Sequence, residues 1–243
     1  MAESCTQHSL SLLIHISHYT AFFFVYKYPR FLSRILTNLV SKMAYHEGKG
    51  GVDMDPRKLY VYALDEATKI VRQVEAEQMD LPTPDTEWTV HDLLQHITYE
   101  LAWTADIVAG KTVAEVGDKY EGELLNGNVL DAWEHYEAIT RTAVESCDMH
   151  GIAHLSYSDK TISEYLLEAG NDQLIHAWDL GQAIGVSVDF DEQVAQTLYE
   201  QALARREELL ESGLFKAPVE VEESAITQTK LLAMLGRSEN WNG

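Results

Sequence analysis

From residue 55 onward, apolar side chains return every three or four positions in one segment after another, the spacing a helix needs to bury one stripe of its surface. In the first such segment Leu59, Tyr62, Ala63, Ala67, Ile70, Val71 and Val74 mark one face, with Asp55 as a capping acid and Pro56 at the first helical position. The pattern predicts a helix running to about Gln78, where two prolines in the following loop, Pro82 and Pro84, make its continuation costly. Thr89 caps a second helix that carries Val90, Leu93, Leu94, Ile97, Leu101 and Ile107 and stops near Gly110. After an acidic, glycine-bearing connection over 116–127, a third helix starts near Asn128 with Val129, Ala132, Trp133, Tyr136, Ile139 and Val144. A fourth runs from Thr161 or Ser163 to Ile184, with Gly185 as its stop. A fifth follows Asp189 or Asp191 and ends near Gly213, and a short last helix covers 227–235. Residues 154–158 alternate as a short extended piece would. No strand-rich region or internal repeat competes, so the expected class is all-α, a helical bundle.

The first fifty residues are different material. They hold five basic groups against two acidic ones, whereas residues 51–243 hold 13 against 37. Between Ser4 and Tyr26 there is no Asp, Glu, Lys or Arg, and Leu10, Leu12, Leu13 and Ile14, then Phe22, Phe23, Phe24 and Val25, raise a membrane reading. His8, Ser9, Ser11, His15, Ser17, His18 and Thr20 interrupt the run, and no basic group precedes it as a secretory signal requires. Three glycines within 46–53 read as a linker. The expected organisation is an N-terminal extension and linker over 1–53, disordered or lying upstream of a start at Met43 or Met54, followed by a bundle domain over 54–243. An amphipathic segment resting on a membrane or a partner is the alternative for the extension.

The chain's net charge of −21 repels phosphate backbones and anionic lipid, so nucleic acid is excluded as an expected partner and a membrane is disfavoured. Two cysteines, Cys5 and Cys147, lack CxxC spacing and are too few for a disulfide framework, which fits a reducing, cytoplasmic setting. Cys147 reads as an inert helical cysteine ahead of a thiol nucleophile.

Glycine-rich phosphate loops, GxSxG elbows and CxxC pairs are absent, which leaves histidines and carboxylates as the reactive inventory. Asp172 and His176 stand four residues apart on the fourth helix, one above the other on one face, where such a pair can bind a metal ion. His96 sits among core leucines on the second helix. If these two helices face each other, two imidazoles and one carboxylate converge on one ion and leave coordination positions open. Each piece alone also has a plainer reading, a hydrogen-bonded core histidine or a local side-chain pair. Asp92, four residues before His96, could orient its ring from outside, and Asp179, three residues beyond His176, could do so for that ring or merely face solvent. His150 and His154 share the spacing, but Gly151 makes a common helical face doubtful. His135 has no evident partner.

Two blocks, WTVHDLLQHI at 88–97 and DQLIHAWDLGQAIG at 172–185, resemble the DinB-like superfamily. Within it they are similar to the N-terminal metal-binding domain of mycothiol-dependent maleylpyruvate isomerases and to uncharacterised actinobacterial relatives, whose ending the tail LLAMLGRSENW at 231–241 also resembles. The resemblance implies a DinB-like four-helix bundle with extra C-terminal helices and a mononuclear divalent metal, zinc or nickel, held by His96, Asp172 and His176. Where the isomerases carry glutamate, this chain has the shorter Asp172. The region after the fifth helix is too short for the isomerases' further C-terminal domain, which puts maleylpyruvate isomerisation itself in doubt. The implied activity is a metal-dependent transferase or isomerase using a low-molecular-weight thiol such as mycothiol on a small electrophile. A catalytically silent metal-binding or interaction module, compatible with a homodimer, and a metal-dependent hydrolase are the alternatives.

Overall fold

The computed structural model describes residues 54–85, 88–156, 158–212 and 215–243; the N-terminal extension expected over 1–53 lies outside them. Helix α1 (Pro56–Val71) begins where Asp55 accepts a hydrogen bond from the Arg57 amide, and it buries Leu59, Ala63, Leu64, Ala67, Ile70 and Val71. It stops short of the expected Gln78. The amides of Gln73 and Val74 bond three residues back, to Ile70 and Val71, which tightens the last turn. Glu75 then lies extended and opens a separate 3₁₀ turn at Ala76–Gln78.

Thr89 and Asp92 form a reciprocal capping box that starts α2 (Val90–Val108), and the one-turn α3 (Val113–Val116) follows it. Asn128 caps α4 (Val129–Ser146), as the sequence predicts. The extended piece expected over 154–158 overlaps a strand at His154 alone among the described residues; the strands flank it, β1 (Ile152–His154) pairing antiparallel with β2 (Asp159–Thr161). A second capping box, Thr161 with Glu164, launches α5 (Ile162–Ile184), which ends at the left-handed Gly185.

The expected fifth helix is two pieces, α6 (Glu192–Ala204) and α7 (Arg206–Ser212). Its chain leaves helical geometry at Arg205 (φ −110, ψ 17), whose guanidinium reaches Glu168 on α5 at 3.2 Å. The last helix is α8 (Thr227–Met234).

Helix α1 packs on α5 and α4, and α2 packs on the same two, so these four helices close a ring around one core. Leu93, Leu94, Ile97 and Leu101 from α2 and Leu59, Leu64, Leu166, Leu174 and Trp133 from the other three helices are buried with almost no exposure, each worth ~1.5–3 kcal/mol of burial. Polar ties fix the register of α4: the Trp133 indole donates to Thr68 Oγ1 at 3.0 Å, and Thr140 donates to the Leu101 carbonyl at 2.6 Å. Gly170 brings α5 against α1, because a Cβ there would stand 2.6 Å from Leu59 Cδ2 and 3.1 Å from Tyr60 Cα.

Outside the ring, α8 packs on α6, and Gln228 clamps the turn before α6 by donating to the Val188 carbonyl and accepting from the Phe190 amide, both at 2.8 Å. Among the described residues no helix is long and apolar enough to cross a membrane.

Candidate metal centre

His96 lies two turns into α2, and Asp172 and His176 lie on consecutive turns of α5, so the contact between those helices decides whether the three side chains meet. They do. His176 Nε2 is 3.5 Å from Asp172 Oδ1, and His96 Nε2 is 3.8 Å from Asp172 Oδ2. One ligand atom from each residue lies within 4.8 Å of the others. Tetrahedral bonds of ~2.0–2.1 Å separate donor atoms by ~3.3 Å, so this triangle needs only a small contraction around an ion such as zinc.

The two rings meet edge to face with centroids 5.0 Å apart, and the Trp88 indole, one residue before the Thr89 cap, lies 4.8 Å from the His96 ring and 5.9 Å from that of His176. The histidine side chains are only 11% and 6% exposed, while that of Asp172 is 39% exposed, so the site opens to solvent beside the carboxylate.

The second candidate cluster, Asp85, His176 and Asp179, shares a histidine with the first. Here a cation of the chain already stands between the carboxylates. Arg237 Nη2 is 2.9 Å from Asp179 Oδ2 and 3.2 Å from Asp85 Oδ2, and its Nε is 3.3 Å from Asp179 Oδ1. Asp179 Oδ2 in turn lies 3.2 Å from His176 Nδ1. Asp179 is thus buried and paired with the His176 ring, rather than facing solvent.

Charge is distributed to match. Burial resists ionisation of Asp172, but the imidazoles and Arg237 outweigh it and hold the carboxyl well below its usual range. Burial alone would lower His176, yet Asp172, Asp179 and Asp85 push it up to about 9. Burial pushes His96 below its ordinary value, which keeps that ring neutral with a lone pair to give. Glu100, one turn beyond His96 on α2, is pushed up to about 8 by burial and by the charge of Asp172. Two carboxyl groups are therefore answered by Arg237, while Asp172 keeps its negative charge at the opening and Glu100 holds its proton near neutral pH. Two imidazoles beside an acidic opening form a donor set suited to a borderline divalent ion.

A model of the Mycothiol maleylpyruvate isomerase N-terminal domain matches residues 62–181. This segment belongs to that family. Two proteins of Mycobacterium tuberculosis, one from each of two strains and both described as uncharacterized, are 26% identical to the chain over 143 residues, 58% of it and 74% of theirs. No solved structure matches significantly. His96, Asp172 and His176 all fall within the mycothiol maleylpyruvate isomerase N-terminal domain, and so do Asp85, Glu100 and Asp179. Arg237 falls outside it.

The rival groupings have other surroundings. Asp92 closes the capping box at Thr89. His154 pairs with Asp159 at 3.0 Å across the hairpin, and the His135 ring packs on Tyr136 with centroids 5.0 Å apart. Among the described residues, neither these two histidines nor His150 belongs to a cluster of three or more candidate ligands. Cys147 sits at the end of α4 with its carbonyl held by Arg57 Nη2 at 2.7 Å. Sequence reasoning missed Asp85 and Arg237, which no local spacing connects to His176, and Glu100, which the four-residue step from His96 could have revealed.

Proposed function

We propose that His96, Asp172 and His176 hold a divalent ion, zinc or nickel, and that the protein is a transferase or isomerase joining a low-molecular-weight thiol such as mycothiol to a small electrophile. The observation that carries this reading is the pair of Nε2 atoms converging on one partly exposed carboxylate, within a domain of the mycothiol maleylpyruvate isomerase family. An ion held there supplies Lewis acidity and lowers the pKa of a thiol that reaches it.

The remaining work falls to the chain. Trp88 covers the imidazoles on one side and excludes water from them, while the side of Asp172 admits small molecules. Glu100 keeps its proton near neutral pH and exchanges it with a substrate group lying between α2 and α5. Asp179 fixes the His176 ring through Nδ1 and so turns Nε2 toward the opening.

The test is a screen of conjugated electrophiles with untagged protein loaded with zinc or nickel, run with mycothiol, bacillithiol, glutathione or no thiol. Thiol-dependent consumption of an electrophile is the expected result. Fully loaded protein that turns over nothing with any thiol, or that hydrolyses substrates equally well without one, overturns the thiol reading.

A further inference from the structure

The matched domain ends more than fifty residues before Arg237, yet the Arg237 guanidinium lies against the outer side of the candidate centre. Its placement is built in. The end of α8 is a Schellman motif: the Gly236 amide bonds the Ala233 carbonyl at 3.1 Å and the Arg237 amide bonds the Leu232 carbonyl at 2.8 Å. Gly236 takes the left-handed conformation this demands (φ 78), and a Cβ on it would stand 2.6 Å from that of Lys216. The chain therefore reverses at Gly236, which sends the next side chain inward. Arg237 is 7% exposed, and Nη1 donates to the Leu235 carbonyl at 3.1 Å.

Its partners are held just as firmly. Asp179 is fully buried and meets Nε and Nη2 together, the two-pronged geometry that arginine makes and lysine cannot. Asp85 belongs to a loop closed by bonds from the Thr83 amide to the Trp88 carbonyl and from the Trp88 amide to the Asp85 carbonyl, at 3.1 and 3.2 Å. Lys216, the residue packed under Gly236, donates to the Pro84 carbonyl at 2.7 Å, so the C-terminal segment grips that loop twice.

We propose that Arg237 is a positioning residue of the centre: the C-terminal segment carries a guanidinium that locks Asp179, and Asp179 locks the His176 ring with Nε2 facing the ion. This rests on the reading of His176 as a ligand. The centre is then not complete within the matched domain, because the residue that orients one of its imidazoles arrives from the tail. Without Arg237, Asp179 loses its charge partner and meets His176 in more than one geometry. With lysine in its place, one ammonium cannot satisfy both carboxylates in the same plane.

The test uses the full chain, untagged, as wild type, Arg237→Gln, Arg237→Lys, Asp179→Asn and the double Asp179→Asn/Arg237→Gln. Zinc and cobalt are titrated against a chromophoric chelator, with circular dichroism to check the fold. Arg237→Gln is expected to weaken binding by about 10–100-fold, the usual loss when the outer partner of a ligand is removed. Arg237→Lys is expected to fall between it and wild type, and the double variant to be no weaker than the weaker single.

Arg237→Gln binding within about twofold of wild type, or the two losses multiplying in the double, overturns the proposal. Should Arg237→Gln fail to fold, Arg237→Lys decides by the same measure, a loss supporting the proposal and an unchanged affinity overturning it. Failure of the metal reading shows separately, as wild-type protein that takes up no ion. Nitrogen-15 spectra of metal-free protein then decide: the His176 Nδ1 proton is expected to be slow to exchange in wild type and fast in Arg237→Lys, and equal exchange in the two overturns the proposal.

Discussion

His96 and His176, eighty residues apart in the chain, direct their Nε2 atoms at the two oxygens of one carboxylate, that of Asp172, at 3.8 and 3.5 Å. Each ring is nearly buried while the carboxylate is open, so an ion arriving from solvent would meet the acid first and the imidazoles behind it. His96→Ala and His176→Ala are each expected to weaken zinc binding by more than ~100-fold, beyond the ~10–100-fold loss typical of an outer partner. Elemental analysis of untagged protein after dialysis measures this, and full metal content in both variants would end the assignment. Asp172→Glu restores the longer arm found in the isomerases and is expected to keep the ion.

The pH response of the metal-free protein follows from His176. Its folded value of about 9 stands above the ordinary 6.5, so the stabilisation from its charged form is complete below 6.5 and is lost as pH rises to about 9. Asp172 is depressed, so its contribution is present above the ordinary carboxylate value and is lost as pH falls below it. Thermal melts are therefore expected to peak in the weakly acidic range and decline toward about pH 9. Metal binding runs the other way, since the ion must displace the His176 proton: affinity is expected to rise by about tenfold per pH unit until about pH 9. A flat affinity between about pH 6 and pH 8.5, measured by chelator competition, would contradict the raised value.

Glu100 makes a cost visible. Burial raises it to about 8, so between its ordinary value of 4.5 and 8 the folded chain holds a proton that the unfolded chain has released, and stability falls as pH rises through that interval. Glu100→Gln removes the penalty, and urea unfolding at neutral pH is expected to show a gain on the order of 1 kcal/mol, tempered by the residue's partial exposure. Metal content is expected to stay within a few fold of wild type. Turnover, where a substrate is found, is expected to fall by about 10²–10⁴-fold if Glu100 carries the proton. A variant that keeps full turnover removes it from the chemistry.

Much of this arrangement was readable along the chain because its signals are local. Asp172 and His176 share a helix face through their spacing, and Thr89, Asn128 and Thr161 announce helix starts by capping chemistry that acts within three residues. The convergence of His96 with that pair depended on α2 meeting α5, a tertiary fact anticipated only as a condition and supported by family resemblance. Arg237 and Asp85 stayed hidden because a guanidinium bridging residues 58 and 152 positions away leaves no periodic trace. The early end of α1 and the break at Arg205 were missed because propensity continues through both. Short-range bonds at Ile70 and Val71 end the first, and the second break coincides with the Arg205 contact to Glu168.

Gly170 offers a test of how far the site depends on the packing behind it. It stands two residues before Asp172, on the face of α5 where α1 comes closest, and an added methyl would meet both the Leu59 side chain and the Tyr60 backbone. Leu59 can shift its terminal carbon, but Tyr60 Cα can move only with its helix. Gly170→Ala would otherwise favour a helix interior by ~0.5–1 kcal/mol, so the sign of the result reports which effect wins. With a contact of 2.6 Å to relieve, overpacking is expected to dominate and cost about 1–3 kcal/mol in urea unfolding. Because α5 must move away from α1 to relieve it, Asp172 and His176 move too, and metal affinity is expected to fall along with stability. A variant more stable than wild type would show that the α1–α5 approach has slack, and an unstable one with unchanged metal affinity would show that the centre tolerates displacement of the helix that carries two of its three candidate ligands.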